Sequence, residues 1–211
     1  MISVSIAGIG GQGNVLAAKI LAQAAKTKGW QVRTAETIGM AQRGGDVISH
    51  VRMGNNHEEV YAPLPAKGSV DVVIALEPGE GARALPYLKE NGLLVVPQSG
   101  IAPSTADLKA DPYNPAAVID ALAAQGVAVS VVDDQALCDA LGTRKALNIM
   151  MLAHAINVVN TDPRFEHNEL RNAISMDELR EAIVACVKEK FVTMNLTAVD
   201  LVLQSAKVYK I

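Results

Sequence analysis

Only two cysteines, Cys138 and Cys186, occur in the 211 residues, far apart in sequence and with no C-x-x-C spacing. A [4Fe–4S] cluster takes four thiolates, so this chain alone cannot ligate one in the usual way. Each cysteine is expected to be a buried structural thiol. Aromatic residues make up 3% of the chain, with Trp30, Phe165 and Phe191 the bulkiest rings. The core must therefore be built mainly from Ala, Val, Ile and Leu, side chains that suit close helix-on-sheet packing. There is no basic excess: 19 Lys and Arg are scattered against 22 Asp and Glu, for a net charge of −3. That leaves no electrostatic footprint for nucleic acid. Long apolar runs are missing too, since residues 70–76 fall far short of the roughly 20 residues that span a bilayer. The opening residues 1–13 lack the charged start of a secretory signal and run straight into glycines. A soluble, cytoplasmic protein with no membrane partner is the expectation. His57, His154 and His167 lack metal-ligand spacing, and Ser99 has no G-x-S-x-G context or assignable His partner, so neither a zinc site nor a hydrolase is indicated.

Half of the chain is apolar, which with this length predicts one sizeable core and one domain over residues 1–211. No internal repeat or low-complexity tract interrupts it. Residues 2–7 form a β-rich run, residues 14–28 carry Val15, Leu16, Ile20 and Leu21 at helical spacing, and residues 30–35 read as a second strand. Strand, glycine turn, helix and strand make a βαβ unit, predicted to have parallel strands. Residues 46–53 alternate as a partly exposed strand, and Gly54, Asn55 and Asn56 suggest a hairpin turn into residues 59–62, giving a small antiparallel insertion. Strands at 70–76, 92–97 and 127–132 then alternate with helices at 78–89 and 115–124. Helical segments fill 134–159, and two amphipathic helices at 176–190 and 196–208 follow, the first capped by Ser175. The predicted class is α/β: a Rossmann-like, mainly parallel sheet with helices on both faces and a helical C-terminus.

Gly8-Ile9-Gly10-Gly11-Gln12-Gly13 matches G-x-G-x-x-G between a predicted strand and a predicted helix. In that context backbone amides and a helix N-terminus hold a pyrophosphate. Glu36, ending the second strand, stands close to where an acid hydrogen-bonds the ribose of NAD. Equally, glycine is needed wherever a strand turns sharply into a closely packed helix, with no ligand present. The pattern leaves a stand-alone NAD(P)-binding oxidoreductase, a nucleotide-sensing regulator and a purely structural turn all open.

The segment Gly39-Met40-Ala41-Gln42-Arg43-Gly44-Gly45, followed by Val47, His50, Val51 and Arg52, separates these readings. With residues 8–13 and the later Leu76-Glu77, it resembles the gamma-type subunit of the pyruvate and 2-oxoacid:ferredoxin oxidoreductases. It is most similar to the beta subunit of the indolepyruvate enzymes. The likeness is specific over the first hundred or so residues and looser after about residue 140, where Gly142, Asn148 and Leu152 carry it. The resemblance implies one gamma-type domain that carries no cofactor of its own. Thiamine diphosphate and [4Fe–4S] clusters would belong to a large catalytic partner subunit, which couples oxidative decarboxylation of a 2-oxoacid to acyl-CoA formation and passes electrons to ferredoxin. CoA would be a co-substrate. In keeping with this, no GDG precedes Asn55-Asn56 as a thiamine diphosphate motif requires.

On this resemblance no catalytic residue is expected in the chain. The candidate ligand or interface residues are Gly8, Gly10, Gly11 and Gly13 in the turn and Gln42, Arg43, Gly44 and Gly45 in the loop. Arg43, between flexible neighbours, suits an anion such as a CoA phosphate or a partner carboxylate. Whether turn or loop touches CoA, the partner's cofactor or only protein is left open. Met40, in a polar loop unlike the helical Met150, Met151 and Met176, suits a contact with another chain. Glu36 and Glu77 are expected at one crevice at the carboxyl edge of the sheet, or as helix caps. His50 and Arg52, at i and i+2 of a strand, share a face directed at a partner, a ligand or solvent.

Overall fold

The computed structural model describes residues 1–39, 45–55, 57–102 and 113–205. Strand β1 (Ile2–Ile9) alternates strictly, with Ile2, Val4 and Ile6 facing one side and Ala7 the other. Helix α1 (Asn14–Thr27) packs on the first of these sides through Ala17, Ala18, Ile20, Leu21, Ala24 and Ala25. So alanine-rich a face lets the helix axis approach the sheet closely. Strands β2 (Gln31–Ile38) and β3 (Asp46–Gly54) come next, then β4 (Val70–Ala75), β5 (Leu88–Pro97) and β6 (Ala128–Val132). They form one sheet in the order β2-β3-β1-β4-β5-β6. β1, β4, β5 and β6 are mutually parallel, whereas β3 is antiparallel to both β1 and β2.

The α/β class and mainly parallel sheet agree with the sequence, but the first βαβ unit differs. β2 runs in the direction of β1 yet does not pair with it, because β3 lies between them in register from Ile2 opposite Met53 to Ile9 opposite Asp46. β3 is thus an inner strand with Ser49, His50 and Val51 buried, not a partly exposed one. Its antiparallel partners are β1 and β2; residues 59–62 form no strand. Pro63 and Pro65 follow that stretch and, lacking N–H donors, stop a ladder from extending beyond it. It lies instead across the sheet end, where the carbonyls of Val60 and Ala62 accept from Arg33 and Arg52 at 3.3 and 2.7 Å.

Helix α2 (Pro78–Ala84) ends sooner than its spacing predicts, in a 3₁₀ turn at Leu85–Tyr87, because Pro86 cannot continue an α-helix. β5 accordingly starts earlier than residue 92, with a register shift against β4 between Val70 and Val72. Asp71, the one charge in buried β4, sits at that irregularity: its carboxylate accepts from the Ser3 N–H at 2.8 Å and pairs with Lys89 at 2.5 Å. Burial nonetheless raises its pKa.

α2 and α3 (Pro115–Ala123) cover one face of the sheet, and α1 with α4 (Asp134–Leu141), α5 (Leu147–Thr161), α6 (Met176–Cys186) and α7 (Glu189–Ser205) cover the other. α5 is buried nearly all round, from Leu147 to Val159, as the central helix of that layer must be. Ser175 caps α6 in a full capping box with Glu178. The last two helices divide earlier than their hydrophobic spacing suggests. Val187 adopts an extended conformation (φ −93°, ψ 143°) and packs on the core, so α7 begins at Glu189 and includes Phe191. Cys138 is buried on α4, but Cys186 on α6 is only partly covered, against expectation; burial raises both thiol pKa values. No described helix is long and apolar enough to cross a membrane.

Candidate functional site at the carboxyl edge of the sheet

β1, β4, β5 and β6 all end at the same edge, and the segments that leave them supply every described polar cluster there. The connection from β1 passes into α1 on one face, and that from β4 into α2 on the other. The gap between β1 and β4 is therefore the topological switch point, the place where open α/β sheets take their ligands.

Here that gap is closed by the chain's own amide side chains. Gln12 folds back so that its Oε1 accepts from the Ile9 N–H at 2.7 Å while its Nε2 donates to the Leu76 carbonyl at 3.0 Å, joining the ends of β1 and β4. The Gly10 N–H donates to the Gly45 carbonyl at 2.9 Å. Asn14 donates from Nδ2 to the Val47 carbonyl at 2.7 Å, and Asn148, reaching over from α5, donates to the Gly13 carbonyl at 3.0 Å. Two amides that a phosphate would use are thus already engaged, and Gln12 lies across the crevice.

The glycines follow from this packing. A Cβ at Gly8 would meet the Gln12 and Asn14 amides at 2.7–3.0 Å. One at Gly13, where φ is +88°, would stand 2.6 Å from Asn148 Nδ2. Gly13→Ala should therefore combine left-handed strain with loss of the Asn148 bond, destabilising the fold by roughly 2–3 kcal/mol. A thermal midpoint lowered by less than about 2 °C would mean that the turn is not packed as described.

Glu77, following β4, is buried and caps α2, its Oε2 accepting from the Glu80 N–H at 3.1 Å. Its other oxygen accepts from the Tyr113 hydroxyl, which in turn accepts from the Gly79 N–H at 3.2 Å. Burial and the neighbouring Glu77 carboxylate push the Tyr113 phenol upward, so it stays a donor at neutral pH. Glu80 is also buried, which raises its pKa despite Arg83 at 3.4 Å.

Ser99, after β5, and Asp134, opening α4 after β6, meet Arg144 in a third cluster. Asp134 is fully buried; its Oδ1 accepts from the Ser99 N–H at 2.9 Å, and its Oδ2 accepts from the Ser99 hydroxyl and from Arg144 Nη2 at 2.6 Å. The Arg144 side chain is 46% exposed, and its Nη1 donates to Gln135 Oε1 at 3.5 Å. This cluster ties β5, β6 and the α4–α5 connection together, and it offers one guanidinium at the edge.

Of the residues expected at a site, Gly8, Gly10, Gly11, Gly13 and Gly45 do converge at the end of β1. Met40, Gln42, Arg43 and Gly44 lie outside the described residues. Glu36 and Glu77 do not share a crevice: β3 and β1 lie between their strands, Glu36 is exposed in a groove of about 270 Å³ beside α1, and Glu77 is a cap. His50 does not face a partner or ligand; it is buried, with Nδ1 2.8 Å from Ser5 Oγ and its ring 5.6 Å from that of Tyr87. Arg52 bonds back to the chain. His154 is buried beside Ser130, while His57 and His167 are exposed. Among the described residues no three of His, Cys, Asp and Glu gather as a metal ion would need.

The arrangement defines an α/β domain whose glycine turn is occupied by its own packing. The chain belongs to the pyruvate ferredoxin/flavodoxin oxidoreductase family, whose model matches residues 3–205. It is 33% identical over 201 residues, 95% of this chain and 92% of the relative, to indolepyruvate oxidoreductase subunit IorB of Archaeoglobus fulgidus. To the subunit of the same name from Thermococcus kodakarensis it is 30% identical over 207 residues, 97% of this chain and 96% of that one. Its fold is similar to that of the keto/oxoacid ferredoxin oxidoreductase gamma subunit from Geobacter sulfurreducens PCA, with a TM-score of 0.66 at 21% identity over 98% and 99% of the two chains.

Proposed function

We propose that this chain is the cofactor-free subunit of an indolepyruvate-type 2-oxoacid:ferredoxin oxidoreductase and acts as one domain in the cytoplasm. Its partner is a large catalytic subunit holding thiamine diphosphate and [4Fe–4S] clusters, which decarboxylates an arylpyruvate oxidatively, forms the acyl-CoA and passes electrons to ferredoxin. The chain itself holds neither group and catalyses nothing alone; with two widely separated cysteines it has no thiolate set for a cluster. The carrying observation is the end-to-end match, at 33% identity, to a subunit whose name states indolepyruvate oxidoreduction. The self-closed glycine turn supports it, since a stand-alone NAD(P) enzyme or nucleotide sensor needs those amides and that crevice free.

The test is a tagged pull-down from the native host under anaerobic conditions, with the eluate assayed for indolepyruvate- and CoA-dependent ferredoxin reduction. Co-purification of a large subunit bearing thiamine diphosphate and clusters, together with that activity, is expected. A lone chain that binds NAD tightly would overturn the proposal.

A further inference from the structure

β2 is the outermost strand of the sheet, and neither proline, lysine nor a bulge blunts its edge. Its eight residues contain no proline and no lysine, and it pairs with β3 without a bulge from Gln31 opposite Gly54 to Ile38 opposite Val47. The ladder continues to Gly39, whose N–H donates to the Asp46 carbonyl at 2.8 Å. By the alternation of an antiparallel ladder, the odd-numbered residues direct their backbone groups inward to β3, and Val32, Thr34, Glu36 and Ile38 direct theirs outward. The side chains of these same four residues lie on the α1 side, where Thr34 and Glu36 line the groove with Val15, Lys19, Gln23 and Lys26. Ile38 is 68% and Val15 52% exposed. Lys19 and Lys26 form no ion pair among the described residues.

The pattern along β2 is self-complementary. Reading outward from Ala35, the α1-side residues are Thr34 and Glu36, then Val32 and Ile38. A second copy laid antiparallel about a two-fold axis at Ala35 sets Val32 against Ile38 of that copy twice and Thr34 against its Glu36 twice. Each Glu36 then stands over the groove that holds the other copy's Lys19 and Lys26. A register centred on Thr34 instead sets Val32 against the Glu36 carboxylate and strands Ile38, so the Ala35 register is the one that pairs like with like. We propose that β2 docks a second copy of this chain in this register, so that two six-stranded sheets become one continuous sheet. The pairing goes beyond the proposed activity and is read separately from it, because its test needs no turnover.

The experiment uses the full chain in whatever assembly it is purified with. Ala35 lies on the axis, opposite itself in a pair whose backbones approach most closely, so Ala35→Cys should form a disulfide-linked species of twice the chain mass on mild oxidation. Thr37→Cys, more exposed than Ala35 but opposite Arg33 of the second copy, should link at least tenfold less. Glu36→Lys, a surface change that leaves the fold intact, should weaken self-association at least tenfold by light scattering. An Ala35→Cys chain that stays unlinked, links to a different polypeptide, or links no better than Thr37→Cys would overturn the proposal, as would undiminished association of Glu36→Lys.

Discussion

Arg144→Met should destabilise the fold by about 3–5 kcal/mol, the usual cost of stripping the partner from a buried charge. The asymmetry of the pair sets the size. Asp134 has no exposure and cannot turn to water, while the Arg144 side chain is nearly half exposed and can. With methionine in place, the Asp134 carboxylate keeps only the N–H and hydroxyl of Ser99. Asp134→Asn is the contrasting change: it removes the charge from the buried side and leaves the arginine free to be solvated, so it should cost less, about 2 kcal/mol. Urea unfolding distinguishes them. With a slope of about 2–3 kcal/mol per molar for a chain this size, Arg144→Met should lower the midpoint by more than about 1 M and Asp134→Asn by less. The reverse ranking would show that Asp134 is not the group that depends on its partner.

This cluster also marks where sequence reasoning stopped. Local signals were legible: the Ser175 cap, the turn glycines, the β-rich run of β1 and the apolar run of β4 each report a contact within a few residues. Asp134, Ser99 and Arg144 are ordinary polar residues in sequence, and only the parallel order of β5 and β6 brings them together. The same holds for Gln12 and Leu76, which are adjacent only because β1 and β4 are. The insertion of β3 between β1 and β2 was hidden for a related reason. An inner antiparallel strand and an edge strand show the same alternation when polar residues such as Ser49 and His50 are buried, His50 here against Ser5. Glycine spacing, for its part, reports a backbone that must turn closely, and both a pyrophosphate and a packed amide require that. The Gly39–Gly45 segment carried the family resemblance, and residues 40–44 of it lie outside the described residues.

Acidification should cost the fold about 2–3 kcal/mol through one side chain, His154, by pH 4.5. It lies fully buried between β6 and α5 with its Nε2 2.7 Å from Ser130 Oγ. Burial disfavours the charged ring and lowers its pKa from 6.5 to about 4. The unfolded chain therefore takes up this proton first, so the contribution is whole above about pH 6.5, is lost as pH falls toward 4, and changes no further below that. Each unit of that gap is worth about 1.4 kcal/mol. Asp71 and Glu80 act in the opposite sense, because burial raises their carboxyls and the folded state then binds protons more readily as pH falls. Total acid stability mixes these effects, so the informative quantity is a difference. His154→Gln keeps a polar group beside Ser130 but cannot titrate. Its stability deficit against the unmodified chain, measured by denaturant unfolding, should shrink by about 2–3 kcal/mol between pH 7 and pH 4.5. A deficit that stays constant over that range would mean that His154 is charged, or reachable by water, in the folded protein. His50, whose pKa burial also lowers, would then be the remaining histidine to carry acid sensitivity, and its pair with Ser5 lies on the opposite face of the sheet.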